Sequence, residues 1–175
     1  HFGGVQGYEK PQWFSTNTAS TETPTWSRNE THEVVAQECA AVRKVAGIIN
    51  LSGASKILVK GKDAYHFLDR LSSNKLPGTD GRLSLTLFHG PNGGIMTEAS
   101  LTCINEDEFF LICPMAGEER DMHWLQQHAD GYDVEITNLT EKLASVLLTG
   151  PKAREILQAI SRSDLSQKAF PWLTT

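Results

Sequence analysis

The stretch "LSLTLFHGPNGGIMTEASLTCI" (residues 83–104) decides the fold class, because two apolar runs flank a turn-forming tetrapeptide. That tetrapeptide, Pro91-Asn92-Gly93-Gly94, is typical of the turns that join antiparallel strands. Glycine enters the positive-φ region without a Cβ penalty, so we predict positive φ at Gly93 or Gly94. The stretch therefore predicts a β-hairpin.

The second apolar run of this hairpin contains one carboxylate, Glu98. Alternation along a strand puts Glu98, Ser100 and Thr102 on one face and the intervening apolar residues on the other. A polar face of this kind usually meets water. A carboxylate among apolar neighbours can also face a pocket and accept hydrogen bonds from a polar ligand. The residues alone leave both interpretations open.

The residues before the hairpin predict helix, strand and helix. Residues 33–46 have apolar side chains at helical spacing, and Gly47 is predicted as the left-handed cap of that helix. Residues 55–61 alternate like a half-buried strand, and residues 62–73 return to helical spacing. The hairpin is thus expected to pack with helical segments.

The residues after the hairpin continue the pattern. Residues 108–115 predict a third strand of an antiparallel meander. Residues 117–128 predict an amphipathic helix with Met122 and Leu125 on its apolar side.

The last third of the chain predicts two more strands, within residues 132–140 and 143–150. The second strand runs into Pro151, a favoured first helical position, at the start of a final helix. Helices that return onto one mostly antiparallel sheet define an α+β fold and disfavour a doubly wound parallel sheet.

The first 30 residues predict an irregular arm. They are rich in Gly, Ser, Thr and Pro and show no period, yet they contain aromatic residues. A free linker does not need such apolar area, so we expect Trp13 and Phe14 to pack against the folded part and to be buried. The organisation predicted is an arm over residues 1–30 and a domain over residues 31–175.

Composition excludes several classes of function. The net charge of −5 is mild and the charges are mixed along the chain, which argues against a nucleic-acid partner. No apolar run approaches the roughly 20 residues that span a bilayer, so no membrane role is expected. The three cysteines are widely spaced and His123 and His128 face different sides of a helix, so no metal site is predicted.

Six separated stretches together resemble one family. In order they are "GYEKPQWF" (7–14), "VRKVAGIINLSGASKILVKGKDAYHFLDRLSSNKLP" (42–77), "GGIMTEASLT" (93–102), "RDMHWLQQH" (120–128), "LLTGPKAREIL" (147–157) and "DLSQKAFPW" (164–172). They resemble the folate-binding half of dimethylglycine and sarcosine dehydrogenases, a module shared with the glycine-cleavage T-protein, an aminomethyltransferase. The first stretch points to the dehydrogenase branch.

This resemblance implies the N-terminal part of a T-protein-like folate-binding domain. In such enzymes an upstream FAD domain oxidises an N-methyl amino acid, and the tetrahydrofolate module captures the released one-carbon unit as methylene-tetrahydrofolate. Since the chain opens at His1 with neither Met nor signal sequence, we expect a piece of a longer protein. The rest of the parent chain or a partner subunit would complete the site, and this piece alone is expected to be inactive. The implied location is the mitochondrial matrix or the bacterial cytoplasm.

The resemblance also implies site residues. Glu98 falls where the T-protein family has its catalytic Asp, after the Gly-Gly turn. Ala54, Leu58 and Thr102 match positions that line the folate cavity, and Leu85 replaces a position that is often Tyr. We therefore expect Glu98 to point into a central cavity lined by Ala54, Leu58 and Leu85, with its carboxylate orienting a reacting amine.

Two other functions stay open from the sequence. The regulatory subunit of pyruvate dehydrogenase phosphatase resembles the same dehydrogenases without catalysing their reaction. A free-standing T-protein-like aminomethyltransferase is the second alternative. An upstream G-x-G-x-x-G motif between a strand and a helix would favour the dehydrogenase over both.

Overall fold

The computed structural model describes residues 1–5, 8–15, 17 and 25–175. In chain order the elements are β1 (Phe2–Val5), β2 (Tyr8–Pro11), α1 (Thr31–Lys44), β3 (Gly47–Asn50), β4 (Ser55–Lys60), α2 (Ala64–Leu71), β5 (Leu83–His89), β6 (Ile95–Asn105), β7 (Glu108–Cys113), a 3-10 turn (Met115–Gly117), α3 (Glu118–His128), β8 (Glu135–Asn138), β9 (Val146–Thr149) and α4 (Ala153–Ile160).

The described chain divides into two compact units. The first comprises His1–Ile49 and Leu147–Arg162, and the second comprises Asn50–Val146 and Ser163–Thr175. The sequence predicted an arm followed by one domain, whereas α1, most of β9 and α4 group with the N-terminal residues. Local patterns could not indicate this grouping, because it depends on contacts between segments about a hundred residues apart.

The second unit contains a five-stranded sheet in the order β5-β6-β7-β4-β8. Every neighbouring pair is antiparallel, which confirms the predicted α+β class. The predicted hairpin is β5 and β6, and Gly93 in its turn has φ of 76°. Gly90 and Gly94 close the turn, since the Gly90 N–H donates to the Gly94 carbonyl at 2.9 Å.

One face of this sheet carries the core. Alternate residues of β6, Ala99, Leu101 and Cys103, are buried as predicted. Phe67 of α2 and Leu125 of α3 belong to the same cluster and are fully buried. Each fully buried side chain of this size contributes about 1.5–3 kcal/mol, so the apolar sides of the helices fix this face as the interior.

The outer edge of β5 is covered by other parts of the second unit. The Ser73 N–H donates to the Leu87 carbonyl at 3.0 Å, and the Asn74 side-chain amide donates to the Leu85 carbonyl at 2.6 Å. Near the chain's end, the Leu83 N–H donates to the Leu173 carbonyl at 3.0 Å. These bonds occupy backbone groups that an exposed edge strand would offer to another chain.

The first unit differs from the sequence prediction in its short strands. β1 and β2 pair antiparallel where irregular structure was predicted. Gly47 begins β3 instead of capping α1 in the left-handed region. β3 pairs with β9 in a separate two-stranded sheet. The sequence predicted that β9 would join the main sheet, and it does not.

The aromatic pair of the arm is buried only in part. Trp13 is 3% exposed and its ring stacks on that of His1, with centroids 3.7 Å apart. Phe14 is 62% exposed, which contradicts its predicted burial. Consecutive side chains of an extended segment point to opposite sides, so burying Trp13 leaves Phe14 outside.

Candidate ligand-binding face

The side of the main sheet opposite the core presents a mixed polar and apolar surface. Residues that pair across antiparallel strands project to the same side, so the register identifies its members. This surface, hereafter the Glu98 face, comprises Leu83, Leu85, Leu87, Glu98, Ser100, Thr102, Phe110, Ile112, Lys56 and Leu58.

The register arranges these residues in rows across the strands. One row runs from Leu83 through Thr102 and Phe110 to Leu58. The next row lies two residues away along each strand and contains Ser100. Glu98 lies in the row after that, two residues beyond Ser100 along β6, and it pairs with Leu87.

Glu98 lies at the end of the face, where the sheet is only two strands wide. β7 pairs with β6 no further than Ser100, so Glu98 has a strand neighbour only on the β5 side. Its side chain is exposed. Within residues 25–175, no cation lies at ion-pair distance from its carboxylate. Glu98 is therefore free to accept hydrogen bonds from a group outside this chain.

The predicted site residues share this face to different degrees. Thr102 is 5% exposed, Leu85 is 50% exposed and Leu58 is half-buried. Ala54 is also half-buried and immediately precedes β4. Glu98 was expected to be shielded from water, but it is exposed. The reason is that β7 has ended at this level, so no strand lies beside Glu98 on that side. The face is thus one open wall, and the cavity stays a prediction.

Strand geometry sets the size of ligand that this wall can contact. Two strand spacings, about 10 Å, separate β6 from β4, and the four residue steps from Glu98 to Thr102 cover about 13 Å. Glu98 and Leu58 are therefore about 16 Å apart across the face. Only an elongated ligand could contact both.

Lys56 is a residue of the face whose burial the sequence did not indicate. Alternation in β4 predicted a polar side chain in water, yet Lys56 is 2% exposed. Its ammonium donates to the carbonyls of Ser52 at 2.8 Å and Ala54 at 2.6 Å. The turn before β4 folds back over the side chain, and no local sequence signal reports such a cover.

Glu118, at the start of α3, carries a carboxylate that balances the buried charge of Lys56. Burial alone raises the pKa of Glu118, but hydrogen bonds from Thr140, Asn138 and Ser55 and the positive charge of Lys56 outweigh it, so the pKa is lowered. The shortest of these bonds described, from the Asn138 amide, is 2.7 Å long. Glu118 therefore favours its charged form, which offsets part of the cost of burying an ammonium.

The thiols do not contribute a nucleophile to the face. Burial raises the pKa of Cys113 to about 12 and also raises the pKa of Cys103. Cys39 is exposed on α1, in the other unit. Since the thiolate is the reactive form, the two buried thiols are unreactive at neutral pH.

Neither a metal centre nor a membrane segment is found in the described part of the chain. Its His, Cys, Asp and Glu side chains include no group of three or more that could hold a metal ion. No helix among those described is long and apolar enough to cross a membrane.

The fold and the face define an α+β domain whose sheet is packed with helices on one side and carries an acid among apolar groups on the other. The chain belongs to the GCVT N-terminal domain family, which it matches over residues 1–175. The family predicted from the six sequence stretches is thereby confirmed.

Two kinds of relative are similar in sequence. Mitochondrial dimethylglycine dehydrogenase of Mus musculus is 34% identical over 172 residues, which are 97% of this chain and 20% of that protein. An aminomethyltransferase of Caldanaerobacter subterraneus subsp. tengcongensis is 36% identical over 146 residues, 83% of this chain and 39% of that protein. The chain therefore spans well under half the length of either relative.

Two solved structures are similar in fold. Glycine cleavage system aminomethyltransferase T from Bartonella henselae superposes with a TM-score of 0.79 at 20% identity, covering 95% of this chain and 41% of that one. Heterotetrameric sarcosine oxidase from Corynebacterium sp. U-96 gives a TM-score of 0.55 at 17% identity, covering 80% of this chain and 69% of that one. At these identities the likeness establishes the fold.

Proposed function

We propose that this chain is the tetrahydrofolate-binding portion of an FAD-dependent N-demethylating dehydrogenase of the dimethylglycine or sarcosine type. The observation that carries the proposal is that Glu98, Leu58, Leu85 and Thr102 lie on one face of one sheet. The resemblance selected these residues without knowledge of the register. In the proposed protein the Glu98 face forms one wall of the folate site.

The chemistry of the face suits a reduced folate. That ligand is elongated, with a flat ring at one end and polar N–H groups along its edge. Leu58 and Leu85 offer half-buried and half-exposed apolar surface, and Glu98 offers an acceptor without an ionic partner among the described residues. When bound, reduced folate supplies the nitrogen that receives a one-carbon unit at the formaldehyde level.

Glu98 is proposed as the acid of that site. A carboxylate can accept a hydrogen bond from a reacting amine, and it can hold a proton or stabilise developing positive charge nearby. Such interactions strengthen when water is excluded. Because Glu98 is exposed here, exclusion of water is assigned to the rest of the parent protein or to a partner subunit.

The length of the sequence match favours the dehydrogenase over the aminomethyltransferase. A match of 172 residues must include most of the first 30, whereas a match of 146 residues can omit nearly all of them. Those first residues include the "GYEKPQWF" stretch. The flavin is assigned to a domain outside this chain, and the location to the mitochondrial matrix or the bacterial cytoplasm.

The test is Glu98→Gln in the longer protein that contains this chain. Gln keeps the size of the side chain and removes its charge, so flavin reduction by the N-methyl amino acid should continue unchanged. Transfer to tetrahydrofolate should fall by about 10² to 10⁴, as for general acid or electrostatic roles, and free formaldehyde should appear instead.

The matched control is Glu106→Gln, which makes the same change at an exposed acid in the turn between β6 and β7. It should leave both half-reactions intact. An unchanged yield of methylene-tetrahydrofolate in Glu98→Gln would contradict the catalytic assignment, and absence of folate binding in the unmodified protein would contradict the proposed function itself.

A further inference from the structure

We propose that Lys56 is a positioning residue, whose buried ammonium holds the turn formed by residues 51–54 against the Glu98 face and so sets where Ala54 lies in the site. The consequence for ligand binding rests on the proposed folate function. The anchoring of the turn by Lys56 is independent of that function.

The first observation is the burial of a charged group with few polar partners. Lys56 is 2% exposed, and its ammonium donates to two backbone carbonyls of the turn, those of Ser52 and Ala54. A buried ammonium is unfavourable unless its hydrogens are bonded, and bonds to a charged donor are among the stronger ones. The turn and the ammonium therefore hold each other in place.

The second observation is that the other hydrogen bonds of the turn do not involve the carbonyl of its last residue, Ala54. The Leu51 N–H donates to the Ser145 carbonyl at 2.8 Å, and the Ser145 N–H donates to the Ser52 hydroxyl at 3.1 Å. Both bonds act on the first half of the turn, and the Ala54 N–H donates to the Leu51 carbonyl within the turn at 2.9 Å. The Ala54 carbonyl is bonded by Lys56.

The third observation is how closely the turn is packed. A Cβ added at Gly53 would lie 2.4 Å from the Met115 sulfur, so the backbone of the turn lies directly against that side chain. Met115 follows the end of β7, and β4 begins opposite that end because Ser55 pairs with Cys113. The turn thus lies at the same end of the face as Glu98.

The position of this turn has a consequence for a ligand. Continuing the register beyond β7 brings Ala54 level with Glu98 and two strand spacings away, about 10 Å. Ala54 is also one of the residues that the resemblance assigns to the folate cavity. Movement of the turn would change the width of the site at the end that carries the acid.

Lys60 provides a matched control within the same strand. It projects to the same side of the sheet four residues later, outside the Glu98 face, but its side chain is 61% exposed and its contact with Glu108 is an ion pair of 3.9 Å at the surface. The change to methionine removes the same charge at both positions and keeps an unbranched apolar stem. Only at position 56 does it leave two carbonyls of the turn without their donor.

The experiment compares Lys56→Met and Lys60→Met in the longer protein. Amide hydrogen exchange of residues 51–54 should become about tenfold faster in Lys56→Met, which corresponds to loss of bonds to a charged donor. The KM for tetrahydrofolate should rise by a similar factor, while flavin reduction stays unchanged. Lys60→Met should alter neither exchange in the turn nor the KM.

Lys56→Gln serves as the second variant, because its amide can still donate to one carbonyl and the side chain is neutral. It should restore slow exchange in part, and it provides the comparison if Lys56→Met does not fold. Unchanged exchange of the turn in both variants would overturn the inference. Faster exchange with an unchanged KM would overturn the link to the ligand, whereas failure of the unmodified protein to bind tetrahydrofolate would count against the proposed function instead.

Discussion

Residues on the two faces of β6 have opposite environments, and this determines what a substitution on each face does to stability. Leu101 is fully buried against the helices, whereas Glu98 is exposed on the other face. Leu101→Ala should therefore lower the free energy of unfolding by about 2–5 kcal/mol, because it leaves a cavity. Glu98→Gln should change it by less than about 0.5 kcal/mol.

Urea denaturation of the two variants measures both effects. A one-residue slip in the register of β6 would exchange the two faces, and the expected order of the two effects would then reverse. Equal destabilisation by the two variants would likewise contradict the assignment of Glu98 to an open face.

The three cysteines should differ in reactivity according to burial. With its pKa raised to about 12 by burial, Cys113 has a thiolate fraction at pH 8 that is about 10³-fold smaller than that of an ordinary exposed thiol. Iodoacetamide at pH 8 should label Cys39 first, and peptide mass spectrometry can assign the site. Labelling of Cys113 at the rate of Cys39 would show that the core around β7 opens readily.

The same raised pKa has a consequence for stability at high pH. A group whose pKa is higher in the folded state contributes stability below its unfolded value, about 8.5 for a thiol, and loses it as the pH rises towards the folded value. For Cys113 that window extends from about pH 8.5 to about 12.

At the scale of single residues, the sequence predicted the alternation of β6 and the position of Glu98 within it. It did not predict the burial of Lys56, which results from a turn that folds over the strand. Nor did it predict the exposure of Phe14. Burial of this kind depends on which distant segment covers a side chain, and periodicity within a strand does not contain that information.

The hairpin turn allows a test at the scale of elements. Gly93 has positive φ and Gly94 does not, and a Cβ added at either would meet no atom within 4 Å. Gly93→Ala should therefore destabilise the fold by about 1–2 kcal/mol through backbone conformation alone. Gly94→Ala should be neutral or slightly stabilising, because it restricts the unfolded chain.

Thermal or urea unfolding of the two alanine variants measures the difference. Since the two positions are adjacent and equally open, steric contacts cannot explain unequal effects. Equal stability of the two variants would contradict the turn geometry.

Long periodic elements were predictable from sequence, and short paired ones were not. The strands and helices from β4 to α3 lie within a few residues of their predicted limits, because each shows a clear period. β3 was missed because its four residues are mostly exposed and therefore lack alternation. Its pairing with β9 joins segments about a hundred residues apart, and no local pattern specifies such a pairing.

At the scale of the whole molecule, the chain carries one wall of the proposed site. It spans 20% of the dehydrogenase and 39% of the aminomethyltransferase that it matches. The family and the α+β fold were predictable, because six sequence stretches in the family's order and spacing indicate both. Enclosure of a ligand was not, since the Glu98 face is open in the structure and no local pattern indicates what would cover it.

The most direct test of the central claim is a crystal structure of the longer protein with 5-formyltetrahydrofolate bound. We expect an N–H of the ligand to lie roughly 2.6–3.2 Å from the Glu98 carboxylate. Carbon atoms of Leu58 and Leu85 should lie within about 4.5 Å of the ligand. A folate bound elsewhere, with Glu98 still in water and both leucines without ligand contact, would contradict the role of the Glu98 face as a wall of the folate site.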